Sequence, residues 1–419
     1  MPISNPVVAN DRTYAVPKTC AIAICLDGCE PEYLEVAIAE GLMPTLKRIR
    51  ETGTDRLAHS VIPSFTNPNN MSIATGRPPS VHGICGNFLY DPDTGEEVMM
   101  NDVRFLRAPT IFSKFYEAGA RVAVVTAKDK LRALLGAGLK FNEDRAIAFS
   151  TEKSDTTTKA VHGIDNASAW MGLPVPEVYS SELSEFVFAA GVKLLKEWKP
   201  DVMYLSTTDY IQHKFAPDEQ GAKDFYAMFD KYLTELDAMG AAIVVTADHG
   251  MKPKHDANGD PAVIYVQDTL DDWLGKDAAR VILPITDPYV VHHGALGAFA
   301  TAYLPDSAVH ADIVARLSAL PEMLEVVDKA TAVSKYDLPA DRIGDIVMIS
   351  TENMTIGTSA HRHDLAALKE PLRSHGGLTE QEVPFIVNRV IDLPNAPTLR
   401  NFDAFFYATA AAALEEVDA

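Results

Sequence analysis

Four short apolar runs, separated by stretches with helical spacing, limit the folds open to this chain. The runs cover residues 19–26, 121–125, 201–205 and 241–246. Because they are apolar throughout rather than alternating, they are typical of parallel strands buried on both faces. Stretches with apolar residues three and four apart lie near them, at residues 42–51, 110–118, 184–198 and 225–239. This alternation predicts an α/β fold with a doubly wound, mostly parallel sheet.

Residues 259–368 follow a different pattern. Four short β-like runs, at 262–266, 280–285, 298–303 and 346–350, surround one helix-like stretch at 307–320. We therefore predict a smaller α+β cap domain of residues 259–368, inserted into a core domain of residues 1–258 and 369–419. The core is predicted to end in a helix over residues 401–416.

Residues that are charged or can bind metal follow each of the four apolar runs. In chain order they are Asp27, then Lys128 and Lys130, then Asp209, and last Asp248 with His249. In open α/β sheets, ligands bind beyond the carboxyl ends of the strands. The sequence therefore places a functional site at that edge of the sheet.

The chain offers a set of carboxylate and imidazole ligands suited to metal. Asp209 and His213 are four residues apart, which places them on one face of a helix, and His375 lies in a glycine-rich turn. The complete set is Asp27, Asp209, His213, Asp248, His249 and His375. Three aspartates and three histidines are enough for two metal ions. Nitrogen and oxygen ligands without thiolate favour Zn²⁺, with Mn²⁺ or Fe²⁺ as alternatives.

Two other groups could be mistaken for ligands. The pair His292 and His293 lies in the predicted cap without a neighbouring carboxylate, so we interpret it as structural, with substrate contact as the alternative. The four cysteines, Cys20, Cys25, Cys29 and Cys85, form neither a disulfide framework nor two metal-binding pairs. We interpret them as buried thiols.

Thr66 is the candidate nucleophile. It precedes Asn67 and Pro68, residue types that favour the start of a helix. A hydroxyl at a helix N-terminus lies in a field that stabilises an alkoxide or an attached phosphate. The alternative is that Thr66 only caps the helix. Beside two metal ions, which would depress the hydroxyl pKa, we favour the nucleophile.

Net charge and hydropathy exclude several partners. The charge of 37 − 58 = −21 argues against nucleic acid or an anionic membrane surface. No run reaches the roughly 18–20 apolar residues of a membrane span, and residues 1–18 do not resemble a secretory signal. We expect a cytoplasmic protein, and a homodimer is a reasonable expectation. A small anionic substrate stays possible, because two divalent ions and two lysines outweigh three aspartates locally.

The order of these motifs resembles that of the alkaline phosphatase superfamily. The resemblance implies an alkaline phosphatase-like core with two zinc ions. One ion would be held by Asp209, His213 and His375. The other would be held by Asp27, Asp248 and His249, with Thr66 as a further ligand.

Within the superfamily, threonine followed by Asn-Pro-Asn resembles the branch of nucleotide pyrophosphatases/phosphodiesterases and phosphonoacetate hydrolases. The stretch 83–87 is similar to the branch motif in which an asparagine, here Asn87, binds a phosphoryl oxygen. Lys128 and Lys130 suit a second anionic group on the substrate. The resemblance thus implies hydrolysis of phosphonoacetate to acetate and phosphate through a phosphothreonine.

Three alternatives remain open. The first is a nucleotide pyrophosphatase or phosphodiesterase that acts on phosphate diesters. The second is a relative of cofactor-independent phosphoglycerate mutase or phosphopentomutase, which transfers phosphate instead of releasing it. The third is a metal-binding protein without activity, which the intact set of ligands and Thr66 disfavours.

Overall fold

The computed structural model describes residues 3–91, 93–286, 294–368 and 370–414. Its strands are β1 (Val7–Ala9), β2 (Arg12–Tyr14), β3 (Ala21–Cys25), β4 (Thr54–His59), β5 (Phe88–Asp91), β6 (Glu96–Met99), β7 (Val122–Thr126), β8 (Ala146–Ser150), β9 (Val202–Ser206), β10 (Ala242–Thr246), β11 (Lys252–Pro253), β12 (Val263–Tyr265), β13 (Arg280–Ile282), β14 (Phe299–Tyr303), β15 (Met323–Asp328), β16 (Ile346–Ser350), β17 (Thr355–Gly357), β18 (Arg373–Ser374) and β19 (Glu382–Val387). Its α-helices are α1 (Pro31–Ala39), α2 (Pro44–Thr52), α3 (Thr66–Thr75), α4 (Pro79–His82), α5 (Ile111–Glu117), α6 (Asp129–Leu135), α7 (Lys159–His162), α8 (Ala167–Met171), α9 (Glu182–Lys193), α10 (Tyr210–Lys214), α11 (Gln220–Ala238), α12 (Val266–Leu274), α13 (His310–Ser318), α14 (Lys329–Tyr336) and α15 (Ala404–Ala413).

A seven-stranded sheet forms the centre of the molecule, in the order β4-β19-β10-β3-β9-β7-β8. The five strands from β10 to β8 are parallel to one another, whereas β19 is antiparallel to both of its neighbours. The four predicted apolar runs form the adjacent strands β10, β3, β9 and β7. The predicted fold class, α/β with a mostly parallel sheet, is confirmed.

Helices cover this sheet. Every residue of the four central strands is buried, and successive strand residues point to opposite faces, so both faces are covered. These helices form two groups with contacts inside each group: α3 contacts α5 and α15, and α11 contacts α1, α2 and α9. The predicted C-terminal helix is found as α15, preceded by a short 3₁₀ turn.

The described part of residues 259–368 contains a second sheet. Its four strands are antiparallel, in the order β13-β14-β16-β15, and α13 and α14 pack on β15. The prediction of a single helix here is wrong, because α12 and α14 flank the predicted one; α12 is only nine residues long. Strand β15 was also missed, since its burial pattern is irregular. The division into core and cap stays a prediction.

Several smaller predictions can be compared with the structure. All four cysteines are buried and free, as predicted. His292 and His293 lie outside the described residues. Among the helices that the structure describes, none is long and apolar enough to cross a membrane.

Candidate metal centre and active cleft

The six candidate ligands converge at the carboxyl edge of the central sheet. They form two groups, Asp27 with Asp248 and His249, and Asp209 with His213 and His375. Within each group the potential ligand atoms all lie within 4.8 Å of one another. The rings of His249 and His375 stack with their centroids 3.5 Å apart. The two groups therefore adjoin.

Strand register places the two aspartates of the first group. Residues Cys25 and Thr246 pair at the ends of the parallel strands β3 and β10, and Asp27 and Asp248 each follow two residues later. Backbone and side-chain donors then fix Asp248: the Gly28 amide donates to Oδ1 (3.2 Å) and Asn70 Nδ2 donates to Oδ2 (3.0 Å). Hydrogen bonds from Gly28 and Asn70 thus orient the Asp248 carboxylate without the help of a metal ion.

Backbone carbonyls orient the three histidines. In each of them Nδ1 lies within hydrogen-bond distance of a carbonyl oxygen: that of Arg373 for His213 (2.7 Å), of Gly250 for His249 (2.9 Å) and of Ser64 for His375 (2.8 Å). A carbonyl only accepts, so the proton belongs on Nδ1 and Nε2 is left as the ligand atom. The same outer-shell arrangement is usual for histidines that bind metal.

A bound cation would stabilise the charges of the first group, Asp27, Asp248 and His249. Burial and the charges of Asp209 and Asp248 raise the pKa of Asp27 well above its ordinary value. Burial lowers the pKa of His249, but the carboxylates around it, chiefly Asp248, outweigh burial and raise that pKa to about 10. Carboxylates crowded in a buried site favour a bound cation, which lowers the cost of keeping them ionised.

Two buried atoms of the same group show how a metal ion fits. Asp27 Oδ1 and His249 Nε2 are 3.2 Å apart, yet neither has a hydrogen-bond partner within the described ranges. Buried polar atoms are nearly always satisfied. An oxygen and a nitrogen ligand atom this close together suit a divalent ion such as Zn²⁺.

Thr66 and Asn87 lie beside these ligands. Both line a cleft that Asp27, Asp209 and His375 also line. Thr66 is the first residue of α3, as the sequence predicted. The Oδ1 atom of Asn87 accepts a hydrogen bond from the backbone N–H of Asn67 (3.1 Å). This leaves the amide NH₂ of Asn87 as the group that can donate to a phosphoryl oxygen.

The two predicted lysines line the same cleft. Lys128 precedes the first residue of α6, and its Nζ lies 4.0 Å from Glu152 Oε2 and 5.5 Å from the ring centroid of Tyr179. Lys130 lies in the first turn of α6. The cleft is thus lined both by cationic side chains and by residues of the two metal-ligand groups.

Sequence reasoning missed the aromatic part of the cleft. Tyr179 and Tyr210 both line it, with ring centroids 5.6 Å apart, and Ile285 is contributed by the segment 259–368. Tyr210 directly follows Asp209, so its position next to a ligand motif was an available signal. The loop that carries Tyr179 shows no periodic pattern that would have indicated it.

Gly376 is required by the geometry beside His375. Its φ is +120°, and a Cβ there would overlap the Phe65 ring. We expect Gly376→Ala to lower the free energy of unfolding by about 2–6 kcal/mol, as the sum of backbone strain and forced repacking. Gly172→Ala is the matched control, because Gly172 also has positive φ but faces open space. Thermal unfolding of both variants tests this, and equal small losses would contradict it.

Comparison with known proteins identifies the class. Residues 21–378 match the family model of type I phosphodiesterases/nucleotide pyrophosphatases. The chain belongs to this family and is a hydrolase. Along 98% of its length it is also similar to phosphonoacetate hydrolase from Sinorhizobium meliloti, solved with phosphonoformate and with phosphonoacetate. The identity is 73%, the TM-score is 0.96, and 99% of that chain is covered. The resemblance predicted from the motifs is confirmed.

More distant relatives share parts of the chain. It is 25% identical over 254 residues to an uncharacterized pyrophosphatase/phosphodiesterase of Schizosaccharomyces pombe, and 24% identical over 244 residues to venom phosphodiesterase of Macrovipera lebetinus. These matches span 57% and 55% of this chain but only 46% and 25% of the relatives. Mouse ectonucleotide pyrophosphatase/phosphodiesterase 5, at 19% identity and a TM-score of 0.63, shares the fold over 94% of this chain and 95% of its own.

Proposed function

We propose that this protein hydrolyses the C–P bond of phosphonoacetate to acetate and inorganic phosphate. One observation carries the proposal: a single cleft joins both ligand groups to Thr66, Asn87, Lys128 and Lys130. The substrate has two anionic ends, a phosphonate and a carboxylate, and this cleft offers cationic groups for both. The similarity to the Sinorhizobium meliloti phosphonoacetate hydrolase, which extends along 98% of this chain, supports the same activity.

The two ligand groups would each hold one divalent cation. Asp209, His213 and His375 form one site, and Asp27, Asp248 and His249 form the other, with Thr66 beside it. We propose Zn²⁺, with Mn²⁺ or Fe²⁺ as alternatives. When bound, these ions supply Lewis-acid stabilisation of negative charge and lower the pKa of a bound hydroxyl.

Thr66 performs the first covalent step. Its Oγ1 releases its proton to solvent and attacks phosphorus, forming a phosphothreonine as the C–P bond breaks. The electron pair of that bond passes to the CH₂ carbon, and the neighbouring carboxylate delocalises it. The N-terminus of α3 and the Asn87 amide donate to the phosphoryl oxygens, where they stabilise the developing charge.

The lysines and water complete the reaction. Lys128 and Lys130 stabilise the carboxylate end as it gains charge, and the CH₂ carbon takes up a proton from solvent, which gives acetate. Water then cleaves the phosphothreonine, which releases phosphate and restores the Thr66 hydroxyl. One water is consumed for each acetate and each phosphate formed.

The lysine clamp makes a substrate-selective prediction. Lys128→Ala should lower kcat/KM for phosphonoacetate by about 10²–10³-fold, because a donor to developing charge is lost. An aryl phosphate ester has no carboxylate, so its hydrolysis should fall far less. Lys47→Ala, a change of an exposed lysine on α2, is the control. Steady-state kinetics on both substrates test this, and equal losses would remove the clamp from the mechanism.

A second candidate is the hydrolysis of nucleotide phosphodiesters, and the aromatic pair favours it. Tyr179 and Tyr210 offer ring surfaces at the cleft on which a base could stack. A nitrophenyl nucleotide ester assayed beside phosphonoacetate separates the two functions.

The proposed binding partner of the cleft is a small anion rather than nucleic acid. The cytoplasmic location and the homodimer stay predictions from the sequence.

A further inference from the structure

A buried ion pair outside the cleft joins the loops that carry two of the candidate ligands. Lys254 Nζ lies 2.8 Å from Glu380 Oε1, and both side chains are 0% exposed. Neither residue lines the cleft or belongs to the six ligands. Removing two charges from water is costly, and apolar residues of similar volume often stabilise a fold as well. The pair therefore calls for an explanation other than general stability.

Glu380 holds the loop of His375. Its Oε2 accepts the backbone N–H of Gly377 at 2.9 Å, two residues after His375. Its Oε1 accepts from Thr379 Oγ1 and from Lys254. Within the described residues, the hydrogen-bond partners of this carboxylate are donors, and two of them, Gly377 and Thr379, belong to the turn that carries His375.

The same residue holds the loop of His249. The backbone carbonyl of Glu380 accepts the N–H of Gly250 at 2.8 Å, and the carbonyl of Gly250 in turn accepts from His249 Nδ1. Glu30 accepts the N–H of Met251 at 3.2 Å, and its carboxylate occupies the position that a Cβ of Gly250 would take. The peptide that orients His249 is thus enclosed by Glu380 and Glu30.

Lys254 extends the network to the segment 259–368. Besides Glu380, its ammonium donates to the backbone carbonyl of Glu352 at 2.5 Å. Lys254 follows β11, which pairs with β18, and β18 directly precedes His375. One buried cation therefore links both ligand loops to the inserted segment.

We propose that Lys254 and Glu380 are positioning residues for the metal centre: they fix the separation of His249 and His375, one ligand from each group. This inference rests on the proposed metal centre. The rings of these two histidines stack with their centroids 3.5 Å apart. A small shift of either loop would therefore change the geometry of both ligand groups. Loss of the pair is expected to weaken metal binding without removing a ligand.

Zinc affinity of Glu380→Gln measures this effect. The variant keeps the size of the side chain. It replaces one carboxylate oxygen, which accepts hydrogen bonds, with an NH₂ group, which only donates them. We expect zinc affinity to fall by up to about 10–100-fold, the range seen when a group bonded directly to a metal ligand is lost. Transfer of zinc from the loaded protein to a chromophoric chelator gives the affinity. The visible absorption of the cobalt-substituted protein reports the ligand geometry and should also change.

Asp230→Asn is the matched control. Asp230 on α11 is also buried, and it accepts the backbone N–H groups of Thr45 and Leu46, away from the cleft. The Asp230→Asn variant should be less stable than the wild-type protein, yet its zinc affinity and its cobalt spectrum should be unchanged. If Glu380→Gln does not fold, Lys254→Met gives the same test with the same expected loss.

The outcomes separate this inference from the function on which it rests. Wild-type zinc affinity and an unchanged cobalt spectrum in both Glu380→Gln and Lys254→Met would overturn the positioning role while leaving the metal centre intact. A wild-type protein that binds no zinc or cobalt would instead overturn the metal centre, and the positioning role with it. Weaker zinc binding in the pair variants, with unchanged binding in Asp230→Asn, supports the proposal.

Discussion

Replacing Thr66 with alanine is expected to lower kcat for phosphonoacetate by at least about 10⁴-fold, the scale seen when a covalent nucleophile is removed. The physical reason is that this change removes the oxygen atom that attacks phosphorus. Metal content should change little, because the three aspartates and three histidines remain. Stopped assays for phosphate, combined with metal analysis of the purified variant, measure both quantities.

Thr66→Ser is the control for this change. It keeps a hydroxyl at the first position of α3, so it should retain far more activity than Thr66→Ala. Trapping with acid during turnover should reveal phosphate on the wild-type protein and none on Thr66→Ala. Substantial turnover by Thr66→Ala would contradict covalent catalysis by this residue.

Removal of metal is expected to have the second large effect. A strong chelator should reduce phosphonoacetate hydrolysis to background, and Zn²⁺ should restore it. Ca²⁺ should not, since it prefers six to eight oxygen ligands and each group here contains imidazole. Chelation should also lower the melting temperature. Each ion stabilises the folded state by about 2.7 kcal/mol when its free concentration is 100 times its Kd.

Two variants locate this effect at the proposed centre. Asp27→Asn and His213→Ala should each lose about one metal ion per chain, one from each group. Both should show weak activity at low zinc and partial recovery at high zinc. Full activity after complete metal removal would contradict the proposed centre.

Much of the site was predictable because its ligands follow strongly patterned elements. Uninterrupted apolar runs indicate central parallel strands, and parallel strands have their carboxyl ends at the same edge of the sheet. Asp27 and Asp248 could therefore be placed at one edge of the sheet from the pattern, whereas their assignment to one metal ion came from the family resemblance. His375 was found by a different signal, the glycine-rich turn around it, whose Gly376 is needed for a positive φ beside Phe65.

Other features could not be predicted because they depend on contacts between distant segments. Strand β19 enters the sheet antiparallel between β4 and β10, which a short run near the C-terminus does not indicate. Tyr179 reaches the cleft from a loop without periodicity. Lys254 and Glu380 are separated by 126 residues and resemble ordinary surface charges in the sequence. Such pairings become visible only once tertiary packing is known.

Hydrolysis of phosphonoacetate by the zinc-loaded protein tests the central claim most directly. Phosphate and acetate should be measured in the same reaction, beside a nitrophenyl nucleotide ester. We expect equal amounts of phosphate and acetate, at a rate well above that of the ester and lost on chelation. Cleavage of the nucleotide ester with no phosphate or acetate released from phosphonoacetate would contradict the account.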